Sequence, residues 1–219
     1  MTKEAKLVTG IIIAVVAVLG IGVFLMSRAP QNYTNPTATV DPKSKEEALA
    51  RETPNVRGKL DSKVTVIEFG DLQCPACASV NPTMDELFKT YGDRVKFVFK
   101  HNPLPQHNNA LAGADAVEAA GDQGKFWDML TALYAKQPEW ETLQDPKPVF
   151  RQIAKDVGLD SDKFDKALTG QIHRDRINQE KVDGNSIQNP GTPTFYVNGE
   201  QIFNGGVKEL REKIDTALK

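Results

Sequence analysis

The chain carries only two cysteines, and they stand three positions apart in the run Cys74-Pro75-Ala76-Cys77. Paired sulfurs at this spacing can exchange disulfides, ligate a metal or form a small structural cross-link. The residues around and after the pair favour the first. Val80, Met84, Leu87, Phe88 and Tyr91 recur at helical spacing as far as Gly92. Pro75 suits a first helical position, because its missing N–H would be unpaired there in any case. Cys74 therefore stands at a helix start, where unpaired backbone N–H groups and the positive end of the dipole favour a thiolate over a thiol. Cys77 lies one turn on, close enough to displace a mixed disulfide, and the small Ala76 leaves the approach open.

The other two chemistries fit less well. Closing a four-residue loop constrains the unfolded chain little, so a lone structural disulfide at this spacing is inefficient. A structural zinc takes four protein ligands, and beyond the cysteines the chain offers only His101, His107 and His173. No metal and no other cofactor is expected.

Such a pair must be carried by regular elements. Val64 to Phe69 is a β-branched and aromatic run ended by Gly70, which predicts a buried strand. Arg94 to Lys100, with Val95, Phe97 and Phe99 alternating, predicts a second, so strand, motif, helix and strand make a βαβ unit. Gln106 to Ile187 holds no convincing strand. Ala110 to Ala120, the stripe Phe126, Met129, Leu130 and Leu133, and the stripe Val149, Phe150, Ile153 and Val157 predict separate helices, followed by a short one capped by Ser161 and another over 172–182. Strand chemistry returns at Thr194 to Val197 and Gln201 to Phe203, with Asn198-Gly199 between them as a type I′ hairpin signal. Val207, Leu210, Ile214 and Leu218 then mark an amphipathic closing helix. Both ends of one domain thus contribute to one sheet.

Ahead of that domain, Leu7 to Met26 is an uncharged apolar stretch long enough, at ~1.5 Å per residue, for a ~30 Å hydrocarbon slab. It is longer than a signal-peptide core, and Ser27-Arg28-Ala29-Pro30 is a poor cleavage site, so an uncleaved anchor is expected. Lys3 and Lys6 precede it and only Arg28 closely follows, which favours a cytoplasmic N-terminus and an extracytoplasmic domain. Pro30, Pro36, Pro42 and Pro54 mark residues 27–59 as a polar tether, with Ser44-Lys45-Glu46-Glu47 as a candidate capping box for one short helix. The formal net charge over 219 residues is -2, with no basic run interleaved with aromatics, which excludes a nucleic-acid partner.

Several motifs in order, Glu68-Phe69-Gly70-Asp71-Leu72-Gln73-Cys74-Pro75-Ala76-Cys77, Phe99-Lys100-His101-Asn102-Pro103-Leu104, Gln123-Gly124-Lys125-Phe126-Trp127 and Gly191-Thr192-Pro193-Thr194-Phe195 with Asn198-Gly199, resemble the DsbA-like branch of the thioredoxin superfamily. The resemblance runs from about Gly58 to the C-terminus. It implies an α/β thioredoxin fold, here in residues 60–219, whose halves 60–103 and 190–219 flank an all-helical insertion over 104–189, preceded by the anchor. It further implies Cys74 as the attacking and Cys77 as the resolving cysteine, with Pro75 between them. Thr192 and Pro193 would form the substrate-pairing loop with a cis proline, and Glu68 the buried acid beneath the site. For Glu68 the residues themselves leave a solvated face of the strand equally open. His101 and His107 are weaker candidates for thiolate stabilisation. The dipeptide Pro75-Ala76 lacks the histidine of strongly oxidising members, which leaves the redox direction open. The implied activity is oxidation of cysteine pairs in exported proteins by a monomer that a membrane-bound redox partner regenerates. A reductase or isomerase, or a non-catalytic tethered chaperone or metal-binding module, is the alternative.

Overall fold

The computed structural model describes residues 41–202 and 206–219. The apolar stretch Leu7 to Met26 and its anchor expectation lie outside them, and no helix among the described residues is long and apolar enough to cross a membrane. From Asp41 onward the chain is already folded. Helix α1 spans Pro42–Ala50, with the Asp41 carboxylate accepting from the Lys43 and Ser44 amides. The expected capping box at Ser44 is therefore displaced by a cap three residues earlier, with Pro42 in the first turn, where a missing N–H does no harm. An edge strand β1, Val56–Gly58, follows. The tether expected over 27–59 thus holds a helix and a strand in its described part, with Ala48 and Asn55 buried.

Strand β2, Thr65–Gly70, leads through a short turn into helix α2, Pro75–Tyr91, and β3, Lys96–His101, runs parallel to β2. The expected insertion consists of α3 (Ala110–Gly121), α4 (Phe126–Ala135), α5 (Gln137–Trp140), α6 (Lys147–Asp156), α7 (Ser161–Gly170) and α8 (Arg174–Ser186). The chain returns to the sheet with β4, Thr194–Val197, and β5, Glu200–Gln201, and closes with α9, Gly206–Ala217. Asn198 and Gly199 both take positive φ, +48° and +83°, as a type I′ turn requires. The sheet order is β1-β3-β2-β4-β5, with every neighbouring pair antiparallel except β2 and β3.

Period-two alternation divides the apolar residues between two sheet faces. Val66, Phe97, Phe195 and Val197 pack under α2 and α9 through Met84, Leu87, Tyr91, Leu210 and Ile214. Ile67, Phe69, Val98 and Tyr196 pack with Ala48 and Ile187 on the other. A third core fills the insertion around Trp140, Phe150, Phe164, Met129 and Leu133, and it continues into Leu72, Cys74, Cys77 and Phe99. The cysteine turn is therefore packed by the helical insertion itself.

Candidate active site

Cys74 is the N-cap of α2 in extended conformation (φ -74°, ψ 119°), and its side chain makes no capping bond, so the sulfur is left to the helix amides. The two cysteines are not joined in a disulfide. Cys77 is fully buried, whereas Cys74 retains 6 % of its surface. The Cys74 thiol donates to the Thr192 carbonyl at 3.2 Å, and Thr192-Pro193 is cis. The two segments that the sequence separates by more than a hundred residues thus meet at the sulfur.

The surroundings separate the two sulfurs electrostatically. Hydrogen bonding from the Cys77 thiol is the first cause lowering Cys74 from an ordinary 9 to about 5. The Thr192 side chain and the Cys77 and Ala76 amides add to it, against a desolvation that pushes the other way. Those amides are among the unpaired donors of the first helical turn. The Thr192 hydroxyl is buried and makes no hydrogen bond while Cys74 is a thiol, which leaves it free to donate to a thiolate there. Cys77 moves in the opposite direction: burial pushes its thiol well up, the bond to Cys74 and the charge of Glu68 reinforce this, and only the Asp71 backbone opposes it.

Glu68 faces α2, opposite Phe99 on β3 and Phe195 on β4, and is 8 % exposed. Its reading as a solvated residue is overturned, because α2 closes over that side of the sheet. Burial pushes its carboxyl from 4.5 up to about 8; Arg57 opposes that, while Asp85 and Cys74 add to it. Arg57 in turn donates to Asp85 at 2.9 Å and lies between the rings of Phe88 and Trp127, 4.4 and 4.1 Å from their centres.

Neither His101 nor His107 is bonded to sulfur. His101 is fully buried and meets the Glu118 carboxylate at 2.8 Å, a carboxylate that also takes Asn55 and Arg176. His107 meets Asp71 at 2.7 Å. Asp71 and Tyr134 were not singled out from the sequence. The Asp71 carbonyl accepts from the Cys74 amide at 3.1 Å and from the Tyr134 hydroxyl at 3.3 Å. A carboxylate ending an otherwise apolar strand, three residues before a cysteine, was the available signal for the first; a lone hydroxyl within an apolar helical stripe was the signal for the second. No cluster of three or more His, Cys, Asp or Glu side chains suited to a metal ion occurs among the described residues.

A helix-capping thiol of lowered pKa, a buried thiol one turn on and a cis-proline loop across from them, on a mixed sheet with a helical insertion, define a thioredoxin-type redox fold. The family model described as Thioredoxin matches residues 50–216, and the chain belongs to that family, as a DsbA-like member of it. BdbD from Bacillus subtilis, in its oxidised crystal structure, superposes with a TM-score of 0.65 at 29% identity, over 75% of this chain and 92% of that one. The thiol-disulfide exchange protein alpha-DsbA2 from Wolbachia pipientis shares the fold with a TM-score of 0.69 at 22% identity, over 80% and 94%. The Na(+)/H(+) antiporter NhaA 1 of Salinispora arenicola is 38% identical over 149 residues, which is 67% of this chain and 22% of that protein. The chain thus matches less than a quarter of the length of that relative.

Proposed function

We propose that this protein is an extracytoplasmic thiol-disulfide oxidoreductase, held to the membrane by residues 7–26, that donates the Cys74-Cys77 disulfide to cysteine pairs of exported proteins. The carrying observation is the asymmetry of the two sulfurs: Cys74 is lowered to about 5 and Cys77 is raised by burial. A thiolate stabilised in the reduced protein makes the reduced form the favoured one and the disulfide a stronger oxidant. It also makes Cys74 the better leaving group.

In this reading a substrate thiolate attacks Cys74 Sγ and breaks the Cys74-Cys77 bond. The electron pair passes to Cys77 Sγ, which takes a proton from Glu68, a carboxyl still protonated at neutral pH because its pKa is about 8. A second substrate thiolate attacks the substrate sulfur of the mixed disulfide, and Cys74 leaves as the thiolate. Two electrons have passed from the substrate to the protein, and a membrane-bound oxidant is needed to remove them. Resemblance to oxidised BdbD and to the thiol-disulfide exchange protein alpha-DsbA2 supports the reaction class. The antiporter relatives match over a minor share of their length, and we assign no ion transport to this chain.

A redox titration of the protein in glutathione buffers tests the direction. A midpoint well above the cytosolic glutathione poise of roughly -240 mV is expected for a donor, and one near the thioredoxin value of about -270 mV would make it a reductase. Trapped adducts on Cys74 in a Cys77→Ala variant would separate catalysis from a binding role.

A further inference from the structure

The turn that presents Cys74 begins where β2 ends, and its conformation is not set by the sheet. Its first residue, Asp71, has a side chain with no exposed surface. Its Oδ1 accepts from the Gln73 amide at 2.8 Å, within the turn itself. Its Oδ2 accepts from the Leu104 amide at 2.8 Å and meets His107 Nδ1 at 2.7 Å. Leu104 and His107 belong to the loop after β3, so one carboxylate ties the ends of the two parallel strands together. Gln73 extends the tie, accepting from the Asn109 amide at 2.6 Å and donating to the Glu141 carbonyl at 2.8 Å. The Asp71 main chain meanwhile serves both cysteines, accepting from the Cys74 amide and opposing the rise at Cys77.

Two amides already donate to the Asp71 oxygens, so these act as acceptors, and Nδ1 of His107 must carry the hydrogen. Of the three donors, the imidazole alone can be removed by a side-chain substitution without touching the backbone. It is also the one at the surface, its side chain 18 % exposed. We propose that His107, acting through Asp71, is a positioning residue that holds the Cys74 turn in its exchange-competent conformation. This rests on the proposed thiol-disulfide activity. His107 touches neither sulfur; its effect is transmitted because Asp71 is the residue whose backbone orients the Cys74 amide and whose carboxylate it grips. Without that grip the tie between the turn and the 102–109 loop rests on the Leu104 and Asn109 amides alone, and the sulfur shifts relative to the first-turn amides that stabilise its thiolate.

The test uses full-length wild type, His107→Ala, His107→Phe and His107→Asn. Phe fills the space without donating, which keeps a folded comparison should Ala collapse the loop; the Asn amide can occupy the place of Nδ1. The reduced proteins are titrated by thiolate absorbance, and oxidation of a dithiol peptide gives kcat and KM. The expected result for Ala and Phe is an upward move of the Cys74 thiolate midpoint and a fall in kcat on the order of 10-fold, within the ~100-fold that a 1 Å misplacement can cost. KM is unchanged, and Asn restores both quantities. A folded Phe variant with wild-type midpoint and kcat overturns the positioning role while leaving the proposed function intact. A wild-type Cys74 with an ordinary midpoint and no exchange would instead remove the functional reading itself.

Discussion

Thr192 bears on Cys74 and Glu68 on Cys77, and each is open to a conservative substitution. The Thr192 hydroxyl, buried and unpartnered beside Cys74, is free to donate to the thiolate and so contributes to its lowering. Thr192→Val keeps the shape and removes the donor, so the Cys74 midpoint measured by thiolate absorbance should rise, with the sheet unaltered by circular dichroism. Glu68 poses a stability question because its carboxyl is raised from 4.5 to about 8 by burial. Below 4.5 both folded and unfolded chains hold the proton and the fold carries no penalty. As the pH climbs from 4.5 to 8 only the unfolded chain ionises, and stability falls by roughly 1.4 kcal/mol per unit. Above 8 the loss is complete and constant. Glu68→Gln should therefore unfold at a higher denaturant concentration than wild type at pH 8.5 and show a shrinking advantage toward pH 4.5, and it should slow protonation of the leaving Cys77. Equal advantage at both pH values would mean that the carboxyl is not raised.

At the scale of elements, α3 packs against the cysteine turn at Gly113. A Cβ there would stand 2.8 Å from Leu72 Cβ and 3.6 Å from Trp140. In an exposed helix Gly→Ala gains about 1 kcal/mol; here the overpacking costs about 1–3 kcal/mol. Gly113→Ala should thus lower the unfolding midpoint, and because Leu72 lies two residues before Cys74 it should also slow exchange. How much of this was legible from sequence differs by element. The βαβ unit, the hairpin and the closing helix were, because their periods and turn residues are local; the Thr192-Pro193 loop was through resemblance alone. Helix α1 was legible as one short helix, though capped three residues earlier than Ser44, and strand β1 was not: Pro42 and Pro54 read as breakers, yet one sits in a first helical turn and the other just before a three-residue edge strand, positions where a missing N–H is tolerated. Which way Glu68 faced could not be settled by alternation, since both sides of β2 turned out to be covered. Asp71 escaped notice because its partners lie 33 and 36 residues away.

At the scale of the whole molecule, the redox chemistry and the stability of the fold are linked, because the core of the insertion includes both cysteines. Cys74 is the group whose ionisation differs most usefully between folded and unfolded reduced protein. With a folded value of about 5 against an ordinary 9, the folded chain carries the thiolate while the unfolded chain still holds the thiol. That contribution is fully present above pH 9, declines as the pH falls, and is gone below 5. Cys77, pushed upward by burial, works against the reduced fold only above pH 9, outside this window. In the oxidised protein neither sulfur titrates, so the linkage is absent, although the short disulfide loop adds a small constraint of its own. The melting temperature of the reduced protein minus that of the oxidised protein should accordingly be largest near pH 8 to 9 and contract steadily toward pH 5. Scanning calorimetry of both forms across that range checks it. A difference that stays flat with pH would mean that the first turn of α2 does not hold a thiolate, and the driving force proposed for disulfide donation would disappear with it.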